Sequence, residues 1–290
     1  MNVLVVLCAL SAVIIFGASP VAAKFSLAGL PAIDVALLRT LIGGLIALPI
    51  VLLLKMQLPK NREQRILLLI SGFCGFIGFP LLFTFGLAYT SANHGSMILA
   101  ALPIFTSAVA MTWDKQKPKW IWLAGCSIAL FGEYLIISNT QTTAGEASIF
   151  GDILVVLSNV LASIGYVAGG RLKQTGYSGM GTTLWGVIIF AIVLIPFSFI
   201  VLEVDSLSSV AWDIWLAVFY LATMVTIVGY ALWYWALGNG GIAKVSLFQF
   251  LQPTSGVILA WWLLGEQLSI GFIAASCIVL LGVWIAVKAK

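Results

Sequence analysis

The chain has 290 residues, of which 62% are hydrophobic and only 8% are charged, with a formal net charge of +4. A soluble globular protein carries about three times this share of charged residues. The composition therefore excludes that class and indicates a polytopic membrane protein. The single histidine excludes His-rich metal motifs, and the four cysteines lie in apolar runs, which favours packing roles over disulfides or a metal site.

Ten stretches of the chain are apolar and approach the roughly 20 residues that a membrane span needs. We predict spans one to ten at about 2–22, 33–54, 66–88, 92–113, 120–138, 153–170, 181–202, 214–237, 241–263 and 269–287. The connections are short, so no soluble domain is expected between spans. The first stretch lacks the basic start and the clean small-residue cleavage site of a secretory signal peptide, which favours a span.

The placement of basic residues predicts the orientation of these spans. If the N-terminus is cytoplasmic, the cytoplasmic segments hold eleven of the fourteen Lys and Arg residues: Lys55, Lys60, Arg62, Arg65, Lys115, Lys117, Lys119, Arg171, Lys173, Lys288 and Lys290. The opposite side holds Lys24 and most of the acidic residues. Because cytoplasmic loops are enriched in Lys and Arg, we predict a protein of the cell (inner) membrane with both termini in the cytoplasm.

The two halves of the chain align with each other at an offset of 150 residues, which places Pro103 on Pro253. We therefore predict two repeats, 1–140 and 150–290, each with five spans. An odd number of spans places the repeats in opposite orientations across the bilayer. Such inverted repeats support alternating access, in which the two halves rock around a site near the midplane.

Prolines and glycines inside the spans mark candidate hinges. A proline removes a backbone hydrogen bond and bends the helix, which lipid tolerates only where neighbouring helices or a cavity satisfy the freed carbonyl. The candidate hinge or gate residues are Gly78, Pro80, Pro103 and Pro253. Span three carries further glycines at 72 and 75, a pattern typical of close helix packing, with a moving gate as the alternative.

Two sets of motifs resemble the EamA family of the drug/metabolite transporter superfamily. The first repeat is similar in Leu87-Ala88-Tyr89-Thr90-Ser91-Ala92 and Leu102-Pro103-Ile104-Phe105-Thr106. The second is similar in Tyr234-Trp235-Ala236-Leu237, Ala243-Lys244-Val245-Ser246, Leu251-Gln252-Pro253 and Leu264-Gly265-Glu266, where the first repeat instead has Lys115-Gln116. The resemblance covers nearly the whole chain. It implies a cavity surrounded by spans one to four and six to nine, with spans five and ten at the periphery, but it does not specify a substrate.

Ionisable residues within spans are costly in lipid and are candidates for function. Arg39, His94, Glu133 and Lys244 occupy such positions. For Arg39 and His94, a substrate or proton site competes with a structural role. For Glu133 the structural role is favoured, because the resemblance puts span five outside the cavity. Lys244 is the repeat equivalent of His94, and the two could steer an anionic group such as a carboxylate, although Lys244 could also extend to the membrane surface.

Polar residues recur at helical spacing in spans six and nine. Asn159, Ser163 and Tyr166 share one face of span six, and Gln249 and Gln252 share a face of span nine. Buried amides need hydrogen-bond partners, so these residues face protein or a wet cavity rather than lipid. Trp185, Tyr230 and Trp233 could form an aromatic wall. The predicted substrate-binding residues are Arg39, His94, Asn159, Tyr166, Trp185, Tyr230, Lys244, Gln249 and Gln252.

The predicted cavity is apolar to aromatic and has few fixed charges, which fits a zwitterionic or neutral solute better than a multiply charged anion. We expect a secondary transporter that exports amino acids or similar small metabolites. The alternative in the same fold is a multidrug or quaternary-ammonium exporter. A membrane enzyme or a channel is disfavoured, because the chain lacks clustered catalytic groups and any selectivity-filter pattern. The expected partners are a small-molecule substrate and the lipid bilayer, with protons as a candidate coupling ion, without nucleic acid or cofactor, in a monomer or weak homodimer.

Overall fold

The computed structural model describes residues 2–90, 95, 98–139, 148–202, 207–252, 254–255 and 270–288, and within these ranges the chain is helical without β-strands. Six of the described helices are long and apolar enough to cross a membrane: Val3–Ser26, Ala32–Leu53, Arg62–Tyr89, Ile149–Gln174, Gly179–Val201 and Trp212–Gly240. They correspond to predicted spans one, two, three, six, seven and eight. Shorter apolar helices occupy spans four, five, nine and ten. The all-α membrane fold is confirmed, while the count of ten spans stays a prediction.

The helices are numbered here in chain order. They are α1 (Val3–Gly17), α2 (Ser19–Ser26), α3 (Ala32–Leu53), α4 (Arg62–Gly72), α5 (Phe79–Tyr89), α6 (Leu102–Trp113), α7 (Trp120–Asn139), α8 (Ile149–Gln174), α9 (Gly179–Val201), α10 (Trp212–Tyr220), α11 (Tyr230–Gly240), α12 (Ile242–Val245) and α13 (Ile270–Lys288). Two π-helical segments, Phe73–Gly78 and Leu221–Gly229, join α4 to α5 and α10 to α11, and a 3₁₀ segment, Ser246–Leu251, follows α12.

The π-helical segments lie at matching places in spans three and eight, a feature that the sequence analysis did not predict. Pro80, in the first turn of α5, has no N–H to donate to the carbonyl four residues earlier, that of Phe76. Thr40 of α3 donates its hydroxyl to this carbonyl at 2.6 Å. A neighbouring helix thus satisfies a group that a proline would otherwise leave without its helical partner, as a membrane interior requires.

Equivalent helices of the two repeats pack directly on each other. Helices α7 and α13 meet where a Cβ on Gly282 would lie 2.4 Å from the backbone nitrogen of Ala129, and α3 meets α9 where Gly44 faces Ala191. Between spans four and nine, the hydroxyls of Ser107 and Ser246 are 2.8 Å apart. Spans four and nine are therefore adjacent, and small residues let the equivalent helices approach closely.

Helices α7 and α13 form a separate apolar cluster together with the 3₁₀ segment. The cluster includes Trp122 and Ala129 of α7, Val279 of α13 and Phe250 of the 3₁₀ segment. Most of the other helices surround one larger core that contains residues from both repeats. The pair contacts this larger bundle through residues 246–251. This arrangement agrees with the peripheral position that the family resemblance implies for spans five and ten.

Candidate functional site

Six aromatic side chains form a cluster between the repeats: Phe16, Phe76, Tyr166, Tyr230, Trp233 and Tyr234. Each is at most 4% exposed. Tyr230 is at the centre, with ring centroids 5.1 Å from Phe76 and 5.6 Å from each of Phe16, Tyr166 and Tyr234. Phe16 and Tyr166 are 150 residues apart and stack at 6.5 Å, so repeat-equivalent positions meet inside this aromatic cluster.

The phenol groups of the aromatic cluster connect it to the first π-helical segment and its neighbour α4. The Tyr230 hydroxyl donates to the carbonyl of Gly75 at 3.2 Å, and the Ser71 hydroxyl donates to the Tyr234 oxygen at 2.8 Å. The Trp233 ring centroid is 5.8 Å from that of Tyr166, yet the buried Trp233 indole N–H has no hydrogen-bond partner among the residues that the structure describes. A buried donor without an acceptor is rare in native proteins and requires an explanation. One explanation is a ligand or a water molecule that accepts this hydrogen bond in another conformation of the protein.

Arg39 of α3 is the buried cation closest to this cluster. It is 3% exposed, and its Nε donates to the Thr226 hydroxyl, in the second π-helical segment, at 2.9 Å. The guanidinium interacts electrostatically with Tyr230 and Tyr166, while its NH2 group has no hydrogen-bond partner among the described residues. The structure therefore brings three predicted site residues, Arg39, Tyr166 and Tyr230, into one place.

A line of polar side chains continues from Tyr166 along α8. Ser163 lies 3.1 Å from the Thr106 hydroxyl of α6, and the Asn159 amide donates to the carbonyl of Ile98 at 2.6 Å. The side-chain oxygen of Asn159 is buried and has no partner among the described residues. Asn159 and Tyr166 are seven positions apart, or about 10 Å along the helix axis. The side of span six that carries Asn159, Ser163 and Tyr166 is therefore directed towards span four and the interface between the repeats.

The two predicted glutamines of span nine have different environments. The Gln249 side chain is buried, and neither its nitrogen nor its oxygen has a partner within the described ranges. Gln252 donates its amide to the carbonyl of Phe16 at 3.2 Å, one residue before α1 ends. Ser255 similarly donates to the carbonyl of Val13 at 3.3 Å. Gln252 therefore joins span nine to the end of α1. The amide nitrogen and oxygen of Gln249, by contrast, form no hydrogen bond with a described residue.

Other predicted residues lie apart from the aromatic cluster or outside the described residues. Trp185 donates its indole N–H to the carbonyl of Met56 at 3.3 Å. Its ring packs against a small apolar cluster formed by Leu67, Leu68, Ala168 and Leu172. Lys244 is exposed on the short helix α12. His94, Pro253 and the side chain of Glu133 lie outside the described residues.

The remaining hinge candidates lie at helix irregularities. Pro103 occupies the first turn of α6, directly after a turn at Ala101. Gly78 is the last residue of the first π-helical segment, where an added Cβ would lie 2.6 Å from a methyl group of Leu161. Phe16, Phe76, Thr226 and Tyr234 were not predicted as site residues. The offset of 150 relates Phe16 to Tyr166 and Phe76 to Thr226, and Tyr234 begins one of the family motifs, so these signals could have pointed to them.

Polar contacts between the repeats close both ends of this interface. At one end, Arg171 of α8 pairs with Asp114, which follows α6, and lies over the Trp113 ring at 5.9 Å. At the other end, the Thr90 hydroxyl donates to Asp152 at 2.5 Å. A surface cavity of about 350 Å³ lies beside the first closure, between α4 and Trp113. A polar contact between the repeats therefore lies at each end of the described interface.

Comparison with known proteins adds the relatives of this fold. The sequence profile of the EamA-like transporter family matches residues 3–138 and again residues 149–288. "Uncharacterized transporter YdeK" of Bacillus subtilis is 28% identical over 272 residues, which cover 93% of this chain and 92% of the relative. An "Uncharacterized transporter" of Archaeoglobus fulgidus is 26% identical over 277 residues, or 95% of each chain. A crystal structure with 16% sequence identity has a TM-score of 0.74 over 99% of both chains, which shows a shared fold.

Proposed function

This chain belongs to the EamA-like transporter family, and we propose from that premise that it exports amino acids or similar small metabolites as a secondary transporter. It is an integral, multi-pass membrane protein. In our proposal both termini are cytoplasmic, the membrane is the cell's inner membrane, and the working unit is a monomer or weak homodimer. The two repeats, 1–140 and 150–290, would be the halves that rock.

The observation that carries this proposal is the buried aromatic cluster, together with buried polar atoms of the second repeat that lack partners among the described residues. Aromatic walls combined with a few polar groups are typical of small-molecule sites. Within the described part of the chain, the Trp233 indole, the Asn159 oxygen and the Gln249 amide have no hydrogen-bond partner, although native proteins satisfy most such groups. A small solute with polar and apolar parts would supply the missing partners in the loaded state.

Alternating access in this chain would open one end closure at a time. Opening the Arg171–Asp114 pair would connect the aromatic cluster to the side that we propose is cytoplasmic, and opening the Thr90–Asp152 contact would connect it to the other side. Each contact joins the two repeats, so a relative rotation of the repeats would break one contact and keep the other. The two π-helical segments lie beside the aromatic cluster, and such segments are frequent at functional sites.

The charge of the site favours amino acids over quaternary ammonium compounds. A cationic drug would bind well against the aromatic rings. However, Arg39 places a positive charge beside Tyr166 and Tyr230, where it would repel that ligand. We therefore propose the amino-acid class as the substrate, with protons as the candidate coupling ion and without an enzymatic activity.

Transport by purified protein in liposomes tests this proposal. Vesicles are loaded with a mixture of the common amino acids, and efflux is followed by mass spectrometry with and without a pH gradient. We expect selective loss of a subset with apolar or aromatic side chains. The variant Tyr230→Ala removes the central ring of the aromatic cluster, and its efflux should be lower than that of the wild-type protein. Equal efflux from protein-free and protein-containing vesicles for every amino acid would refute the proposed substrate class.

A further inference from the structure

The charge on Arg39 has no counterion among its described neighbours. The side chain is 3% exposed, and a buried charge is costly unless it is paired and hydrogen-bonded. Its interacting neighbours are the hydroxyl of Thr226 and the phenols of Tyr166 and Tyr230. Phenols are ordinarily neutral near pH 7, because their reference pKa is about 10. These groups therefore supply dipoles but no negative charge.

Glu133, the acidic residue predicted inside a span, belongs to a helix whose main described neighbours differ from those of α3. Glu133 belongs to α7, whose main described neighbours are α13 and the 3₁₀ segment. Arg39 instead lies on α3, which packs against α9 and the second π-helical segment. The ion pair between Arg171 and Asp114 closes one end of the interface and does not include Arg39. An anion that compensates Arg39 would accordingly come from outside the described residues.

The hydrogen bonds of the guanidinium specify what kind of anion fits. Thr226 already accepts from Nε, while the NH2 group has no partner in the described part of the chain. Guanidinium groups bind carboxylates through charge-assisted hydrogen bonds, and a single guanidinium balances a single negative charge. A phosphate or sugar nucleotide would bring more charge than one cation balances. A monocarboxylate matches both the charge and the remaining donors.

We propose that Arg39 binds the carboxylate of a monocarboxylate solute, whose apolar or aromatic part packs against the aromatic cluster. This inference rests on the proposed function, because the solute is the one transported. Tyr166 and Tyr230 interact with the guanidinium and also belong to the aromatic cluster, so the two parts of the solute would be held side by side. The unpartnered indole N–H of Trp233, next to Tyr166, is a second donor for the solute's polar groups.

The test compares ligands that differ only in charge at the carboxyl position. The probes are L-phenylalanine, 3-phenylpropionate, which lacks the amine, and L-phenylalaninamide, which lacks the negative charge. Binding to purified protein is measured as thermal stabilisation in detergent, and transport as efflux from proteoliposomes. We expect both carboxylates to bind the wild-type protein at least roughly tenfold more tightly than the amide, since hydrogen bonds between charged groups contribute that much or more.

Variants of Arg39 then locate the effect. Arg39→Gln removes the charge and should weaken carboxylate binding roughly tenfold to a hundredfold, while the weak binding of the amide changes little. Arg39→Lys keeps the charge but loses the planar donor group, so it should be intermediate. The matched control is Arg65→Gln, which removes an exposed cation that donates to the carbonyl of Pro59 and should leave the preference for carboxylates intact.

The outcomes separate this inference from the proposed function. Equal binding of acid and amide by the wild-type protein, or an unchanged preference in Arg39→Gln, overturns the role of Arg39 even if amino acids are transported. If Arg39→Gln does not fold, the wild-type ratio and Arg39→Lys decide the matter. Stabilisation by carboxylates through Arg39, without efflux of any amino acid, supports the carboxylate site and refutes the proposed export. Failure of every carboxylate to stabilise the protein overturns the site itself.

Discussion

The contact between Thr40 and the Phe76 carbonyl should be a measurable source of stability. Thr40→Val keeps the shape of this buried side chain, which is 1% exposed, and removes the hydroxyl that donates at 2.6 Å. A hydrogen bond between membrane helices contributes only about 0.6 kcal/mol on average. Because Pro80 cannot replace the lost donor, the Phe76 carbonyl would lose its side-chain partner in a buried place. We therefore expect a loss of about 1–2 kcal/mol in the free energy of unfolding.

Reversible unfolding in mixed micelles, followed by tryptophan fluorescence, measures this loss. Thr84→Val is the matched control, because the buried Thr84 hydroxyl donates to the Pro80 carbonyl within its own helix, at 2.6 Å. That carbonyl is one helical turn before Thr84 and also has the Thr84 backbone N–H in reach, so the control should cost less. Pro80→Ala restores a backbone N–H, and in that background Thr40→Val should also cost less. An equal cost of Thr40→Val with and without Pro80 would refute the reasoning.

Three further changes test other parts of the structure. Gln252→Leu removes the amide that donates to the Phe16 carbonyl, so transport should fall while membrane insertion survives; transport at the normal rate would contradict this. Gly282→Val places a Cβ atom 2.4 Å from the backbone nitrogen of Ala129. We expect this overlap to lower the free energy of unfolding by at least about 2 kcal/mol. Wild-type stability of the variant would contradict the packing of α7 on α13. The third change places single cysteines in a background without the four native cysteines. Cysteines at positions 60 and 117 should react with an impermeant thiol reagent only from the cytoplasm, and cysteines at 146 and 205 only from outside. Labelling of 60 and 146 from the same side would refute the predicted topology.

The candidate site could be predicted only in part. Tyr166 stood out by helical spacing and Tyr230 by its aromatic residue type, and the structure places both in the aromatic cluster beside Arg39. Trp185 was predicted on the same ground as Tyr230, yet its indole donates to the carbonyl of Met56. Residue type and spacing describe one face of one helix. They do not specify which other helix that face meets.

The sequence by itself determined the membrane class, the internal duplication and the family, because hydropathy, repeat offset and motifs are properties of the linear chain. Only the tertiary structure decided the partners of the polar groups. Arg39 and Thr226 are 187 residues apart, and Gln252 and Phe16 are 236 apart, so no local pattern joins them. The first π-helical segment was also decided at this level, because the carbonyls of Gly75 and Phe76 accept from Tyr230 and Thr40, donors on other helices. In a membrane interior, where water cannot satisfy a free carbonyl, the neighbouring helices determine which irregular backbone is stable.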